Sequence, residues 1–204
     1  STFDTEVVGE MTDIIRKQMY YVGFRQALSP VVDITRDPRW GRITETYGED
    51  AALTSAMASA FVKGIQGDEL KEGVLATAKH FAGHGITEGG LNMGRNIVSE
   101  RDMREIHCKP FQCAITEAGL KSVMNSYCSV NGEPVVGSKK MLTDILRGEM
   151  GFQGFVVSDY LSLDRLVDPF AVAENFEEAG IRAIQAGLDV EYPRSKGFSY
   201  KMKE

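Results

Sequence analysis

Asp159 closes the stretch Gly151-Phe152-Gln153-Gly154-Phe155-Val156-Val157-Ser158-Asp159-Tyr160, where a charged group meets the end of an apolar run. Phe155 to Val157 are aromatic or β-branched, follow a glycine and are too few for a helix, so they read as a buried strand. A carboxylate at the carboxyl end of such a strand is costly to desolvate unless something there pairs or uses it. It could serve as a nucleophile, a general base, a metal ligand or a sugar-positioning group; a helix cap or a buried ion pair would equally account for it. Polar residues recur at the ends of other apolar runs: Asp33, Lys79 with His80, Asn125 with Tyr127, and Asp189 with Glu191. Five independent caps are a poor explanation of that recurrence, and the set is expected to converge on one pocket. A nucleophilic aspartate must stay ionised, which Arg42, Lys79 or His80 nearby would favour. Metal binding is the weaker reading, because cations and carboxylates are mixed and no dense His and carboxylate cluster has ligand spacing. For Lys79 and His80 the plain alternative is an ordinary ion pair and a satisfied core histidine. Neighbours on a strand point to opposite faces, so both reach one pocket only where the strand ends or bulges.

The elements that would position these residues follow one order. Val7, Val8, Met11, Ile14, Ile15, Met19 and Val22 are spaced along one face of a helix over residues 3–22. Residues 27–34 read as a strand, and Leu53, Met57, Phe61 and Ile65 mark a helix after the acidic pair Glu49-Asp50. A strand at 73–78 precedes the glycine-rich loop 82–90. Ser99 to Asp102 resemble a capping box opening a helix that Pro110 should kink or interrupt before Gly119. A strand at 121–127 ends before the Asn131-Gly132 turn. Met141, Leu142, Ile145 and Leu146 mark a short helix before the Asp159 strand. A further helical stretch with Val172, Phe176, Ala183 and Ile184 inward leads to a fifth strand at 188–191. Strands recurring every 33 to 46 residues between helices predict an α/β fold, a partial (β/α)8 TIM-type barrel of parallel strands lacking some strands. A full barrel typically needs about 250 residues and builds its active site at the carboxyl ends of the strands. The expected organisation is a partial-barrel catalytic domain over residues 1–193, with 194–204 a polar continuation toward a missing C-terminal part. A doubly wound sheet is the alternative, though its glycine fingerprint is missing after the first strand.

Composition removes several classes of function. The 204 residues are 43% apolar, with 29 acidic against 23 basic residues and a formal net charge of -6. No clustered basic surface for nucleic acid is expected. No apolar run approaches the ~20 residues of a membrane helix, and no basic-then-apolar leader opens the chain. Cys108, Cys113 and Cys128 are odd in number and lack CxxC spacing, which predicts buried free thiols rather than disulfides or a zinc cluster. That count and the lack of a visible signal lean toward the cytoplasm, with the true N-terminus expected upstream. No cofactor is expected.

Taken together and in order, several motifs resemble glycoside hydrolase family 3: Ser29-Pro30-Val31-Val32-Asp33, Arg36-Asp37-Pro38-Arg39-Trp40-Gly41-Arg42, Glu45-Thr46-Tyr47-Gly48-Glu49-Asp50, Lys79-His80-Phe81, Val123-Met124-Asn125-Ser126-Tyr127, and Gly151-Phe152 through Ser158-Asp159. The match runs from near residue 1 to about residue 193. The resemblance implies a retaining, exo-acting β-glycosidase with Asp159 as nucleophile, acting on a terminal glucose or xylose of a β-linked oligosaccharide or glycoside. It also implies that Arg42, Lys79 and His80 hold sugar hydroxyls and that Met124 and Tyr127 line the same subsite. Such charge-assisted bonds contribute to rate where they strengthen in the transition state. Tyr160 stands where many members have Trp, a smaller surface that can hydrogen bond. Trp40, in a tight loop, reads as packing rather than as a sugar platform. Retention requires a second carboxyl about 5 to 5.5 Å from the nucleophile. In β-glucosidase-type members that glutamate lies in a later domain, outside this chain; the in-chain substitutes are Glu88 and Glu191. The N-acetylglucosaminidase branch uses Asp-x-His, which does not occur here. An upstream aspartate that many members use is also absent. Two other readings compete: a barrel lyase or aldolase with Lys79 as Schiff base, and a non-catalytic sugar-binding domain.

Overall fold

The computed structural model describes residues 2–199. In chain order the strands are β1 (Gln26–Ala27), β2 (Leu75–Phe81), β3 (Arg95–Asn96), β4 (Ser122–Asn125), β5 (Ser129–Val130), β6 (Glu133–Pro134) and β7 (Phe155–Val157). The helices are α1 (Thr5–Tyr21), α2 (Ala51–Gln66), α3 (Glu100–Asp102), α4 (Lys109–Ala118), α5 (Ser162–Val167) and α6 (Phe176–Ala186), with π-helical stretches at Met103–His107 and Lys140–Glu149. The main sheet is parallel in the order β1-β2-β4-β7, and a bridge from Val157 to Val190 adds a fifth position. This is the parallel βα succession of a barrel wall, open rather than closed. Among the described residues no helix is long and apolar enough to cross a membrane.

Alternation along each strand sends side chains to opposite faces. Ala76, Ala78, Val123 and Val156 join Val62, Ile65, Phe111, Ala114, Leu142 and Ile145 in the apolar core between sheet and helices. The Phe81 and Phe111 rings meet edge to face at 5.1 Å within it. The other face is polar. Gln26 Nε2 donates to Thr77 Oγ1 (2.9 Å) and Ser122 Oγ (3.3 Å), and Tyr192 Oη donates to Gln26 Oε1 (2.9 Å). The helix ends follow their sequence signals: Asp50 accepts from Leu53 N, Ser99 from Asp102 N, and Gly119 takes the left-handed conformation. Pro110 sits in the first turn of α4, where its missing N–H is no loss, and the interruption is the π turn before it.

Several expectations change in detail. Only Gln26–Ala27 pairs as a strand in the 27–34 region, because Pro30 has no N–H for the ladder; Val31 and Val32 still run beside Lys79. At residues 188–191 one bridge forms instead of a strand, since the Asp189 carboxylate takes the Val156 N–H (2.7 Å) that a neighbouring carbonyl would accept. Helix α1 buries Val8 and Thr12, with Ile15 and Met19 partly covered, while Val7, Met11, Ile14 and Val22 lie outward. Thr12 reaches Gly64, whose lack of a side chain lets α1 approach α2 closely there. A small sheet β3-β5-β6, with Asn131-Gly132 as a two-residue hairpin turn at positive φ, carried no strand signal in sequence.

Gly154 sets the entry to β7. A Cβ there would lie 2.1 Å from the Lys121 carbonyl oxygen and 2.7 Å from Phe152 Cζ. Gly154→Ala is therefore expected to lower the unfolding free energy of the parent protein by about 3 kcal/mol, the upper end for overpacking, read by denaturant titration. An unchanged midpoint would show that this approach is not needed.

Candidate active site

Asp159 follows β7 and is 8% exposed. Its N–H donates to Asn125 Oδ1 (3.2 Å) at the end of the adjacent β4, and its Oδ1 accepts from Tyr160 N (2.7 Å). Asn125 is fixed in turn, donating from Nδ2 to Ser126 O and Ser162 Oγ. On the other side Ser158 Oγ accepts from Tyr192 N at 2.8 Å. These bonds orient the carboxylate yet leave Oδ2 buried with no hydrogen-bond partner. His80 Nε2 lies 3.5 Å from it.

The pairing register of β2 with β4 shifts between Ala78 and Phe81, so the strand bulges where Lys79 and His80 must both reach the same rim. Lys79 is half-buried, and its ammonium makes no ion pair within 4 Å and no hydrogen bond to a described residue. Burial and the Arg42 charge push its pKa down, against the opposing pull of Asp159, Glu45 and Asp33. His80 Nδ1 lies 2.7 Å from Asp33 Oδ2, and the His80 main-chain N–H donates to Asp33 Oδ1 at 3.2 Å. Burial opposes ionisation of Asp33, but the His80 interactions outweigh it and hold the carboxyl below its usual range.

Arg42 forms a two-pronged ion pair with Glu45 (both 2.8 Å) and places Nη1 3.4 Å from His84 Nε2. His84 is fully buried beside His80, with ring centroids 4.6 Å apart. Trp40 Nε1 can only donate, so Asn92 Oδ1 is its acceptor (3.4 Å); the same oxygen lies 3.0 Å from His84 Nε2, and Nδ1 has no partner. Burial pushes the His84 pKa down to about 4, helped by the His80 and Arg42 charges and opposed by Asp33 and Asp159. Trp40 itself is 1% exposed and edge-on to His84, a packing residue as its sequence context suggests.

Tyr127 donates its hydroxyl to Tyr160 O (2.8 Å), and its ring lies under the Arg165 guanidinium. Burial raises its pKa, and the Asp159 charge adds to that. Met124 pairs with Val157 in the sheet and is 1% exposed. Tyr160 is 48% exposed and touches Tyr192 edge-on. His80 lies 3.5 Å from Asp159, His84 packs on both His80 and Tyr127, and Arg42 reaches His84, so these groups are contiguous; Lys79 adjoins His80 in the chain.

The last strand end does not join them. Asp189 pairs with Arg147 (2.6 Å) while accepting the Val156 N–H, and Glu191 accepts the N–H groups of Lys196, Gly197 and Phe198. Both carboxylates are consumed in holding main chain. In the 194–204 run, residues 194–199 fold back in this way, with Lys196 also paired to Asp164 and Phe198 packed on the core; residues 200–204 lie outside the described residues. Glu88 pairs with Arg95 on the exterior. Among the described residues no group of His, Cys, Asp and Glu could hold a metal ion, and the three cysteines are free and buried. Sequence reasoning placed Asp33 and Asn125 at strand ends without seeing which residues they hold. It missed His84 and Asn92, whose signal was only a histidine and an amide in a glycine-rich loop. Two glycines of that loop approach the segment 34–40: a Cβ on Gly85 would lie 2.6 Å from Ile34 O, and one on Gly90 2.8 Å from Trp40 N.

A parallel βα wall whose strand ends and following loops gather a carboxylate, a lysine, an arginine and histidines is a partial barrel with one polar rim. The chain matches the glycosyl hydrolase family 3 N terminal domain over residues 1–202 and belongs to that family. It is 40% identical over 196 residues to a β-xylosidase of Formosa agariphila, covering 94% of this chain and 27% of that protein. A periplasmic β-glucosidase of Salmonella typhimurium is 33% identical, covering 93% and 25%. A β-glucosidase of Listeria innocua crystallised with glucose superposes with a TM-score of 0.88 at 36% identity, covering 93% of this chain and 27% of that one. The chain thus spans about a quarter of the relatives it matches.

Stability should report the buried histidines. Burial, with Arg36 adding, also pushes His107 down to about 4. For both groups the unfolded chain binds more protons between pH 6.5 and 4. Their contribution is therefore complete above about pH 6.5 and is lost as pH falls through 4, up to about 3 kcal/mol each. The expected outcome is a falling unfolding midpoint from pH 7 to 4 in the parent protein, with a shallower slope in His84→Asn. Equal slopes in the two proteins would refute the assignment to His84.

Proposed function

We propose that the parent enzyme is a retaining β-glycosidase that removes terminal non-reducing β-D-glucosyl or β-D-xylosyl residues, with Asp159 as its nucleophile. The observation that carries this reading is Oδ2 of Asp159, oriented through its sister oxygen and main chain yet free of any hydrogen-bond partner. Oδ2 attacks the anomeric carbon as the bond to the leaving oxygen breaks, giving a glycosyl ester. Water, giving a proton to the second carboxylate, then attacks the anomeric carbon from the face the leaving oxygen vacated, which expels Asp159 as a carboxylate and restores the anomeric configuration. The leaving oxygen needs a proton from a second carboxyl group. With Glu88 and Glu191 engaged elsewhere, that group is assigned to a glutamate outside this chain, in the remainder of the parent protein.

Arg42, Lys79 and His80 are assigned to sugar hydroxyls. Lys79 has three hydrogens and no described partner, and Arg42 is held by Glu45 with a nitrogen at the rim. Met124 and Tyr127 are assigned to the subsite wall, with Tyr160 as a half-exposed aromatic at its edge. The names of the relatives, β-xylosidases and β-glucosidases, support the choice of sugar class.

In the full-length enzyme a 2-deoxy-2-fluoro glycoside should label Asp159. Asp159→Gly should lower kcat by roughly 10⁴-fold or more, the scale of nucleophile removal in other covalent enzymes, with azide partly restoring turnover. A folded Asp159→Gly variant that azide does not rescue, or label on another residue, would refute the role. Trapping of Lys79 by borohydride with a carbonyl substrate would favour imine chemistry instead.

A further inference from the structure

Asp33 is 3% exposed and accepts two hydrogens from a single residue, the main-chain N–H and the ring N–H of His80. A carboxylate accepts only, so Nδ1 must carry a hydrogen whenever Asp33 is ionised. The two bonds fix different things: the one to the main chain sets where the bulge of β2 lies, and the one to the ring sets its rotation and its tautomer. Nε2 then faces the rim, 3.5 Å from Asp159 Oδ2. His84 packs against the other side of the ring at 4.6 Å, which leaves it little room to turn.

We propose that Asp33 is a positioning residue for glycoside cleavage, acting through His80 by holding its Nδ1 hydrogen inward and its Nε2 toward the sugar and Asp159. The inference rests on the β-glycosidase reading of the parent enzyme. An asparagine at position 33 has one acceptor where two donors converge. Its amide hydrogens would face either the main-chain N–H or Nδ1, and the second arrangement drives the His80 hydrogen to Nε2. The hydrogen that Asp33 holds on Nδ1 would then be lost from that position, without any loss of side-chain volume at position 33.

A double-mutant cycle in the full-length enzyme, assayed with p-nitrophenyl β-D-glucoside and β-D-xyloside, tests this. Asp33→Asn should lower kcat/KM at least tenfold, mostly through kcat. In a His80→Gln background, where no ring nitrogen faces position 33, the same substitution should cost less than twofold. Equal losses in the two backgrounds would mean that Asp33 acts through the fold, and no loss in either would mean that it does not act; both outcomes overturn the proposal. If Asp33→Asn does not fold, Asp33→Ser, which removes the charge with a smaller side chain, replaces it in the cycle with the same expectation. Labelling of the wild-type enzyme by the 2-fluoro glycoside is read separately. Absence of label at Asp159 removes the nucleophile reading, whereas coupling between positions 33 and 80 is measured whatever residue is labelled.

Discussion

A carboxylate taken out of water at the end of β7 has to be held by donors without being used up by them. Bonds to both Asp159 oxygens would stabilise the charge and blunt it as a nucleophile; bonds to neither would leave the ion too costly to bury. The chain divides the task. Tyr160 N–H takes one oxygen, and Asn125 takes the Asp159 N–H rather than the carboxylate. Ser158 and Tyr192 tie the next strand position to the same turn. Asp159 is thus anchored to β4 on one side and to residue 192 on the other, and the free oxygen is a product of where the parallel strands end.

The cations around it are balanced. Arg42 is neutralised by Glu45 before it reaches the rim, and His84 stays uncharged beside it because burial and that guanidinium both oppose a proton. Lys79 is the half-buried, unpaired part of the positive charge, disfavoured by burial and by Arg42 but drawn by Asp159. The site keeps mobile positive charge on a flexible side chain and fixed charge on a braced one, which suits groups that must meet hydroxyls arriving in one orientation.

The βα succession was legible because Val123, Val156 and their neighbours are apolar runs bounded by glycine and polar residues, a pattern dictated by burial between layers. The nucleophile candidate and its companions were legible as polar residues at the ends of those runs. Asp189 and Glu191 look the same in sequence, yet they hold Arg147, the Val156 N–H and the 196–198 main chain; type and spacing do not reveal which way a carboxylate turns once a strand gives way to a single bridge. The outward face of α1 was misread for a related reason, since spacing marks an apolar stripe but not which part of it finds a partner. The setting of the His84 ring rests on Trp40 and Asn92, 44 residues and 8 residues away in stretches with no periodic signal.

Gly85 and Gly90 sit in a loop that composition would describe as mobile, but both are places where main chain presses on main chain, against Ile34 and Trp40. Glycine works there as a fastener. The segments 34–40 and 83–92 consequently form one graftable cassette: moving either alone into a sister scaffold would bring a clash or a gap, whereas the pair carries its own fit and, with it, the Trp40 and Asn92 contacts of His84.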